Sequence, residues 1–284
     1  MYTKKKNVWV YFAFLVPSLI LFIFTMVYPF LSGVHLAFTD WDGISRTYNY
    51  VGLKNFINLF RDKSILGSIK NTLIFAILYT SLNNVLALTL AVFLSKKIRG
   101  KNVLKTIFFV PMALSQVLAA FVWSFIDKNI VADALNTNSL LGSPKTVIIG
   151  IVIIALWNQV GSNLMIYIAG IANISKDYYE AAEIDGAGEW QTFRYIMVPM
   201  LGPSFTMCVV LTLTTALREF GTVMAATGGG PAKSSQTVAI FIYQNLFTYQ
   251  KAGYGQAVGI VFMIILVVLG TTLNRFFRNR EVEV

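Results

Sequence analysis

Six stretches of this chain, 7–39, 71–95, 106–126, 146–175, 195–217 and 252–274, contain no Asp, Glu, Lys or Arg. A bilayer core of about 30 Å is crossed by about 20 helical residues rising ~1.5 Å each, so every one of these stretches is long enough to span it. From them we place membrane spans at approximately 10–32, 71–94, 106–126, 147–170, 204–226 and 256–274, the fifth running beyond its uncharged stretch to take in Arg218 and Glu219. The expected fold is therefore an all-α, polytopic membrane protein with six transmembrane helices, built as a single transmembrane domain over 1–284. Composition agrees: charged residues make up 13% of the chain, against ~25% in soluble domains. That excludes an ordinary water-soluble enzyme. A seventh uncharged stretch, 234–250, carries Ser234, Ser235, Gln236, Gln244, Asn245 and Gln250, which suits a water-facing or re-entrant helix better than lipid.

The net charge of +10 reads as membrane orientation rather than nucleic-acid binding, because the basic residues sit mainly between apolar runs. Lys4, Lys5 and Lys6 precede the first span; Lys96, Lys97, Arg99, Lys101 and Lys105 join the second and third; Arg275, Arg278 and Arg280 follow the sixth. With six spans all three clusters fall on one side, which predicts cytoplasmic termini. The bias is moderate, since the first external loop also carries Arg46, Lys54, Arg61, Lys63 and Lys70. The N-terminal apolar run is too long for a signal peptide and lacks a small-residue cleavage site, so it is read as a retained first helix. Pro17, Pro29 and Pro111 are read as simple kinks, and His35 as an interfacial residue.

No catalytic or metal site is expected. The lone Cys208 and the lone His35 exclude a disulfide framework, a zinc cage and a Ser/His/Asp constellation. Lys233-Ser234 after three glycines imitates a phosphate loop, but Ala232 stands where that loop needs glycine and no strand precedes it. Gly186-Ala187-Gly188 fails as a dinucleotide fingerprint, because Gln191 occupies the third required position.

The connection between the fourth and fifth spans, approximately 175–200, is unusually charged. Tyr178 to Ile184 is rich in helix formers, Asp185-Gly186 is a turn signal, and Glu189 to Tyr195 can begin a second helix before Pro199 and Pro203. These signals predict a cytoplasmic helix-turn-helix, with Ala181-Ala182 a small face open to close approach by another protein. Glu180-Ala181-Ala182, three residues, Gly186, nine residues, Ile196, one residue, then Val198-Pro199 resembles the "EAA" loop of binding-protein-dependent ABC importer permeases, with Val198 where leucine is usual. Phe38-Thr39-Asp40-Trp41, Val51-Gly52-Leu53-Lys54-Asn55-Phe56 and Thr227-Gly228-Gly229-Gly230-Pro231-Ala232 resemble the maltose-type, multiple-sugar branch of that family, the last segment its larger permease half.

This resemblance implies a prokaryotic cytoplasmic-membrane permease subunit for an ATP-driven carbohydrate importer, working by alternating access. Its implied partners are a second permease subunit in a heterodimer, two cytoplasmic ATPase subunits, an extracytoplasmic solute-binding protein, membrane lipid and a sugar or oligosaccharide. The subunit itself would hold no cofactor, ATP and Mg being bound by the ATPase. Coupling residues by the same resemblance are Glu180, Ala181, Ala182, Asp185, Gly186 and Gly188.

Polar residues inside spans are the candidate substrate path. Thr212, Thr215, Glu219 and Thr222 recur at helical spacing in the fifth span, and Arg218 lies ~100° round the helix from Glu219; contact with substrate and pairing with the second permease are equally open roles for this pair. Asn158 and Gln159 head an amide face in the fourth span with Ser162 and Asn163, suited to sugar hydroxyls but preferred as helix-to-helix bonding. The family resemblance adds Tyr243 and Asn245 to Arg218, Glu219 and Thr222. An ion-coupled secondary transporter or channel without an ATPase is the alternative, and it would need intramembrane carboxylates of which only Glu219 is a candidate.

Overall fold

The structure, a computed structural model, describes residues 8–96 and 98–279. Lys4, Lys5, Lys6, Lys97 and Arg280, which carry part of the expected orientation signal, lie outside the described residues. Among those described, the regular elements are helices, and extended pairing is confined to an antiparallel bridge between Thr39 and Tyr50. Four helices are continuous and apolar enough to cross a bilayer: Tyr11–Leu36, Ser64–Ser95, Val147–Asn173 and Ala252–Arg278. Six spans result when two bent pairs each count as one, Lys101–Ala113 with Gln116–Ala134 and Glu189–Met200 with Gly202–Leu217.

The bends correct the expectation in detail. Pro111 does not merely kink the third span; the two halves meet at 103°. Proline removes a backbone donor, the helix tightens into a 3-10 turn at Val110–Ala113, and Ser115 caps a new helix by accepting from the Leu118 N–H at 3.2 Å. The fifth span, expected to reach residue 226, ends at Leu217, and a separate short helix runs Gly221–Ala226. Thr212, Thr215, Glu219 and Thr222 therefore do not share one helical stripe: Thr212 is buried and Thr215 exposed, while Arg218 and Glu219 lie in the break. The second span also begins earlier than 71, its helix starting at Ser64 and burying Ile65 and Ser68.

The described chain forms two compact units. One comprises the residues up to Asp62 with Ile242–Val261; the other comprises Lys63–Phe241 with the residues from Phe262 onward. In the first unit the segment after the first span is folded by its own polar side chains. Asn55 donates through Nδ2 to the Ala37 and Thr39 carbonyls at 2.9 and 2.8 Å, satisfying acceptors that a helix end leaves free. Asp40 accepts from the Asn49 N–H at 2.6 Å, and the Val51 N–H donates to the Phe38 carbonyl at 2.8 Å. The Gly253 N–H donates to the Trp41 carbonyl at 2.8 Å, and a Cβ at Gly253 would collide with the Thr39 carbonyl. The two sequence motifs of this region, 38–41 and 51–56, are thus one folded turn.

In the second unit the Ser64–Ser95 helix packs along Val147–Asn173. Phe75, Ala76, Tyr79, Ile151 and Ala155 form one apolar cluster, and Ala87, Ala91, Leu164, Tyr167 and Cys208 form another. Close packing in lipid needs small residues and interhelical hydrogen bonds. Gly161 meets the Phe108–Phe109 backbone and Gly170 meets Leu201 and Ser204, with no room for a side chain at either glycine. Asn163 donates to Thr212 Oγ1 at 2.7 Å, and the Tyr167 hydroxyl donates to Asn84 Oδ1 at 2.8 Å.

Candidate functional site

The loop between the fourth and fifth spans is a helix-turn-helix. Ser175 opens the first helix, Lys176–Ile184, by accepting from the Asp177 N–H at 3.3 Å, and Asp177 places negative charge at the positive helix end. The helix closes in a Schellman turn: the Ala187 N–H donates to the Ala182 carbonyl at 2.9 Å and the Gly186 N–H to the Glu183 carbonyl at 3.1 Å. Gly186 holds φ +74°, the left-handed conformation this turn requires and glycine tolerates. The second helix, Glu189–Thr192, starts where the Gly188 N–H donates to Gln191 Oε1 at 2.8 Å.

Exposure divides the candidate residues. Glu180, Ala181, Asp185, Gly186 and Gly188 are exposed, whereas Ala182 is buried within its own chain. The expected Ala181-Ala182 face is therefore split, with Ala181 outward and Ala182 spent on packing. Two apolar side chains that motif matching did not nominate stand out: Ile184 is 86% exposed and Trp190 70% exposed. Large apolar groups left uncovered on a polar loop are characteristic of a surface that another molecule covers. A sequence signal was present in Ile184, an isoleucine abutting a polar turn with no apolar partner beyond it.

An exposed ion pair links the loop to the end of the second span. Lys96 Nζ lies 2.8 Å from Glu189 Oε2, and the lysine's hydrogen bond and charge hold the Glu189 carboxyl below the usual glutamate range. Behind the loop, a cleft of about 780 Å³ is lined by Leu88, Val92, Tyr179, Trp190, Phe193 and Met197, among others. Burial pushes the Tyr179 phenol above its ordinary value, and its hydroxyl has no hydrogen-bond partner among the described residues.

The candidate transport residues fall in both compact units, and each is described by its own bonds. Asn158 donates to the Pro111 and Leu114 carbonyls, at 2.8 and 3.3 Å, and Gln159 donates to Asn158 Oδ1 at 2.8 Å. Both amides thus serve the break in the third span. Glu219 is buried, and its Oε1 accepts from the Thr222 N–H at 2.7 Å; its carbonyl accepts from Thr237 Oγ1 at 2.9 Å. The carboxylate caps the short helix 221–226, with Thr222 buried beside it. Arg218 is exposed and donates through Nε to the Thr214 carbonyl at 3.1 Å. Tyr243 and Asn245 belong to the other compact unit, where Asn245 is buried in a π-helical turn and the Tyr243 ring lies 5.0 Å from that of Phe247. Among the described residues no group of His, Cys, Asp and Glu is arranged to hold a metal ion.

Residues 83–282 match the family described as "Binding-protein-dependent transport system inner membrane component". The chain is 33% identical to the "Probable starch degradation products transport system permease protein AmyD" of Thermoanaerobacterium thermosulfurigenes, covering 98% of this chain and 97% of that protein. It is 28% identical to the "Multiple sugar-binding transport system permease protein MsmF" of Streptococcus mutans, over 98% and 99%. Its fold superposes with TM-score 0.85, at 22% identity and 96% coverage of both chains, on a chain of a bacterial ABC transporter involved in the import of the acidic polysaccharide alginate.

Proposed function

We propose a role in carbohydrate import on one premise: this chain belongs to the binding-protein-dependent transport system inner membrane components. It is a multi-pass permease subunit of an ABC importer and not itself the ATPase. The sugar substrate is inferred from the relatives named for starch products and multiple sugars, together with the motifs at 38–41, 51–56 and 227–232.

The observation that carries the mechanism is the Glu180–Gly188 loop. Its Schellman turn fixes the first helix against the start of the second, and Lys96–Glu189 ties the pair to the end of the second span. Such a unit moves as a body, so a push on exposed Ile184, Trp190 or Glu180 reaches the spans. We place this loop and both termini in the cytoplasm, the loop in contact with one of two ATPase subunits. A second permease completes the path and a solute-binding protein delivers sugar from outside. Glu219, already engaged as a helix cap, gives little support to an ion-coupled transporter working alone.

The test is co-purification with the neighbouring subunits, followed by ATPase measurement in reconstituted membranes against a panel of sugars plus binding protein. Stimulation by at least one sugar is expected. A complex without an ATPase, or hydrolysis indifferent to every sugar and to the binding protein, would overturn the reading.

A further inference from the structure

The first compact unit holds a cleft of about 500 Å³, within the roughly 300–1,000 Å³ range of small-molecule sites. It is built from the two motifs after the first span and the start of the last helix, and none of the groups that line it has been used above for coupling or for the transport path. Three cations line it: Lys54, Arg61 and Lys251. None of the three forms an ion pair within 4 Å among the described residues, where the one such bridge is Lys96–Glu189.

Two acids, Asp40 and Asp62, share the lining with these three cations, and Lys54 acts on Asp40 through charge alone. Asp40 accepts from the Asn49 N–H and Nδ2, at 2.6 and 3.2 Å, and Asp62 Oδ2 accepts from the Tyr254 hydroxyl at 2.8 Å. The three cations outnumber the two carboxylates, which leaves an excess of one positive charge in a concave site, beside the half-buried indole of Trp41 and the amide of Asn58. Gln250, also in the lining, sits at φ +51°, a conformation that costs a non-glycine residue about 1–2 kcal/mol. Backbone held this way at a cleft is a feature of ligand clamps.

Each part of this chemistry fits one ligand class. Cations lining a cleft bind carboxylates, an indole offers its face to the apolar side of a pyranose ring, and an amide serves hydroxyls. A bare inorganic anion would leave the indole and most of the volume unused. A flat protein surface would not enter the concavity. We propose that this cleft binds a carboxylate-bearing saccharide, with Lys54, Arg61 and Lys251 holding the acid group and Trp41 receiving the ring. The proposal rests on the importer reading for the side of the membrane on which the cleft opens, and it deepens that reading by giving the permease its own acidic-sugar site apart from the transmembrane path.

The experiment uses the permease–ATPase complex in phosphatidylcholine nanodiscs, without nucleotide or binding protein, titrated calorimetrically with trigalacturonate and with maltotriose. Trigalacturonate is expected to bind at least about tenfold tighter, and to weaken as salt rises from about 0.05 to about 0.5 M because the contacts are exposed charges. The exposed double variant Arg61→Gln/Lys251→Gln is expected to lose about tenfold or more in trigalacturonate affinity. Equal affinity for the two sugars, or an unchanged double variant, overturns the proposal; where that variant is unstable, Lys54→Gln alone is expected to weaken trigalacturonate and Arg218→Gln to leave it unchanged, and the reverse pattern moves the acid group to the path and overturns the proposal. If phosphatidylglycerol added to the nanodiscs displaces trigalacturonate, and the double variant abolishes that displacement, the cleft is a lipid-headgroup site and the proposal falls. Failure of the cleft with sugar-stimulated hydrolysis intact leaves the importer reading standing; loss of the ATPase from the complex sinks that reading instead.

Discussion

Asn158 donates through Nδ2 to the carbonyl of Pro111 at 2.8 Å. One amide in the fourth span thereby serves an acceptor exposed where the third span breaks, and the same group reaches the Leu114 carbonyl. In hydrocarbon an unserved carbonyl has no water to turn to. The polar face of the fourth span, which in sequence suits a sugar equally well, is committed to holding a bent neighbour.

Asn158→Leu should therefore act on stability. Interhelical hydrogen bonds in membranes contribute up to about 1–2 kcal/mol, and a loss of that size should appear as a lowered thermal midpoint of the detergent-solubilised subunit. Affinity for sugar should change little. A variant of wild-type stability with a strongly raised KM for uptake would return Asn158 to the substrate path.

Gly186 gives a sharper test of coupling. A Cβ there meets nothing within 4 Å, so the penalty of Gly186→Val comes from the backbone alone, φ +74° costing a β-branched residue at least about 1–2 kcal/mol. The variant should insert normally and lose ATP-driven uptake, while Gly186→Asn, which tolerates this conformation, should keep most of it. Glu180→Lys, a reversal at an exposed position, should also uncouple hydrolysis from uptake. Wild-type uptake in Gly186→Val or Glu180→Lys at wild-type expression would remove this loop from the coupling pathway.

The pair Lys96–Glu189 makes a charge-swap prediction. Lys96→Glu and Glu189→Lys should each reduce uptake, and the double swap should recover part of it. Because the glutamate's folded pKa is depressed, its contribution is present above the unfolded value and fades as pH falls through the folded one, so acidification below the ordinary glutamate range should loosen the loop. Cross-linking yield between cysteines placed at 96 and 189 would not report this, since it removes both charges. Hydrogen exchange of 189–192, corrected for intrinsic rates, would: protection unaffected by pH and by Glu189→Gln means the pair is ornamental.

Much of this architecture is legible in the sequence because its causes are local. Runs of uncharged residues mark the spans, and Ser175, Asp185 and Gly186 mark the ends and turn of the loop helix. What is not legible depends on partners distant in the chain. The break at Pro111 needs Asn158 to donate to its free carbonyls, and periodicity alone cannot tell that from a kink. The end of the fifth span at Leu217 is hidden for the same reason: Glu219 reads as the next member of a helical stripe until its carboxylate is seen capping Thr222, with Thr237 bonding its carbonyl. Ala182 likewise belongs to a motif in sequence and to the interior in space.

Sidedness is open to direct measurement. Single cysteines in a Cys208→Ser background should be labelled by a membrane-impermeant maleimide in intact cells when placed at exposed positions of 41–63 or 228–251, such as 46 or 251, and should be protected at 98 or in the 175–200 loop. Cys208 is buried, so its removal should not disturb the surface being probed. External labelling at 98 would contradict an even number of spans with cytoplasmic termini.

Arg218 carries the last prediction. It lies at the end of the Gly202–Leu217 helix, exposed, with Nε on the Thr214 carbonyl at 3.1 Å. An arginine at membrane depth costs about 2.5–3.5 kcal/mol on insertion scales, and one carbonyl does not offset that. Its remaining N–H groups must be met by substrate, by the second permease or by interfacial water. Arg218→Gln removes the charge and keeps a donor, which separates the three. If the guanidinium holds an anionic sugar in the path, uptake of that sugar and its stimulation of hydrolysis should fall while the purified complex stays intact. If it pairs across the permease interface, the second permease should be lost on purification whatever sugar is present. We expect one of these two outcomes, because Glu219 beside it is already spent as a cap and is not positioned as its counter-ion. Unchanged assembly with unchanged uptake would leave Arg218 as a side chain reaching to the membrane surface, where the charge is hydrated and does no further task.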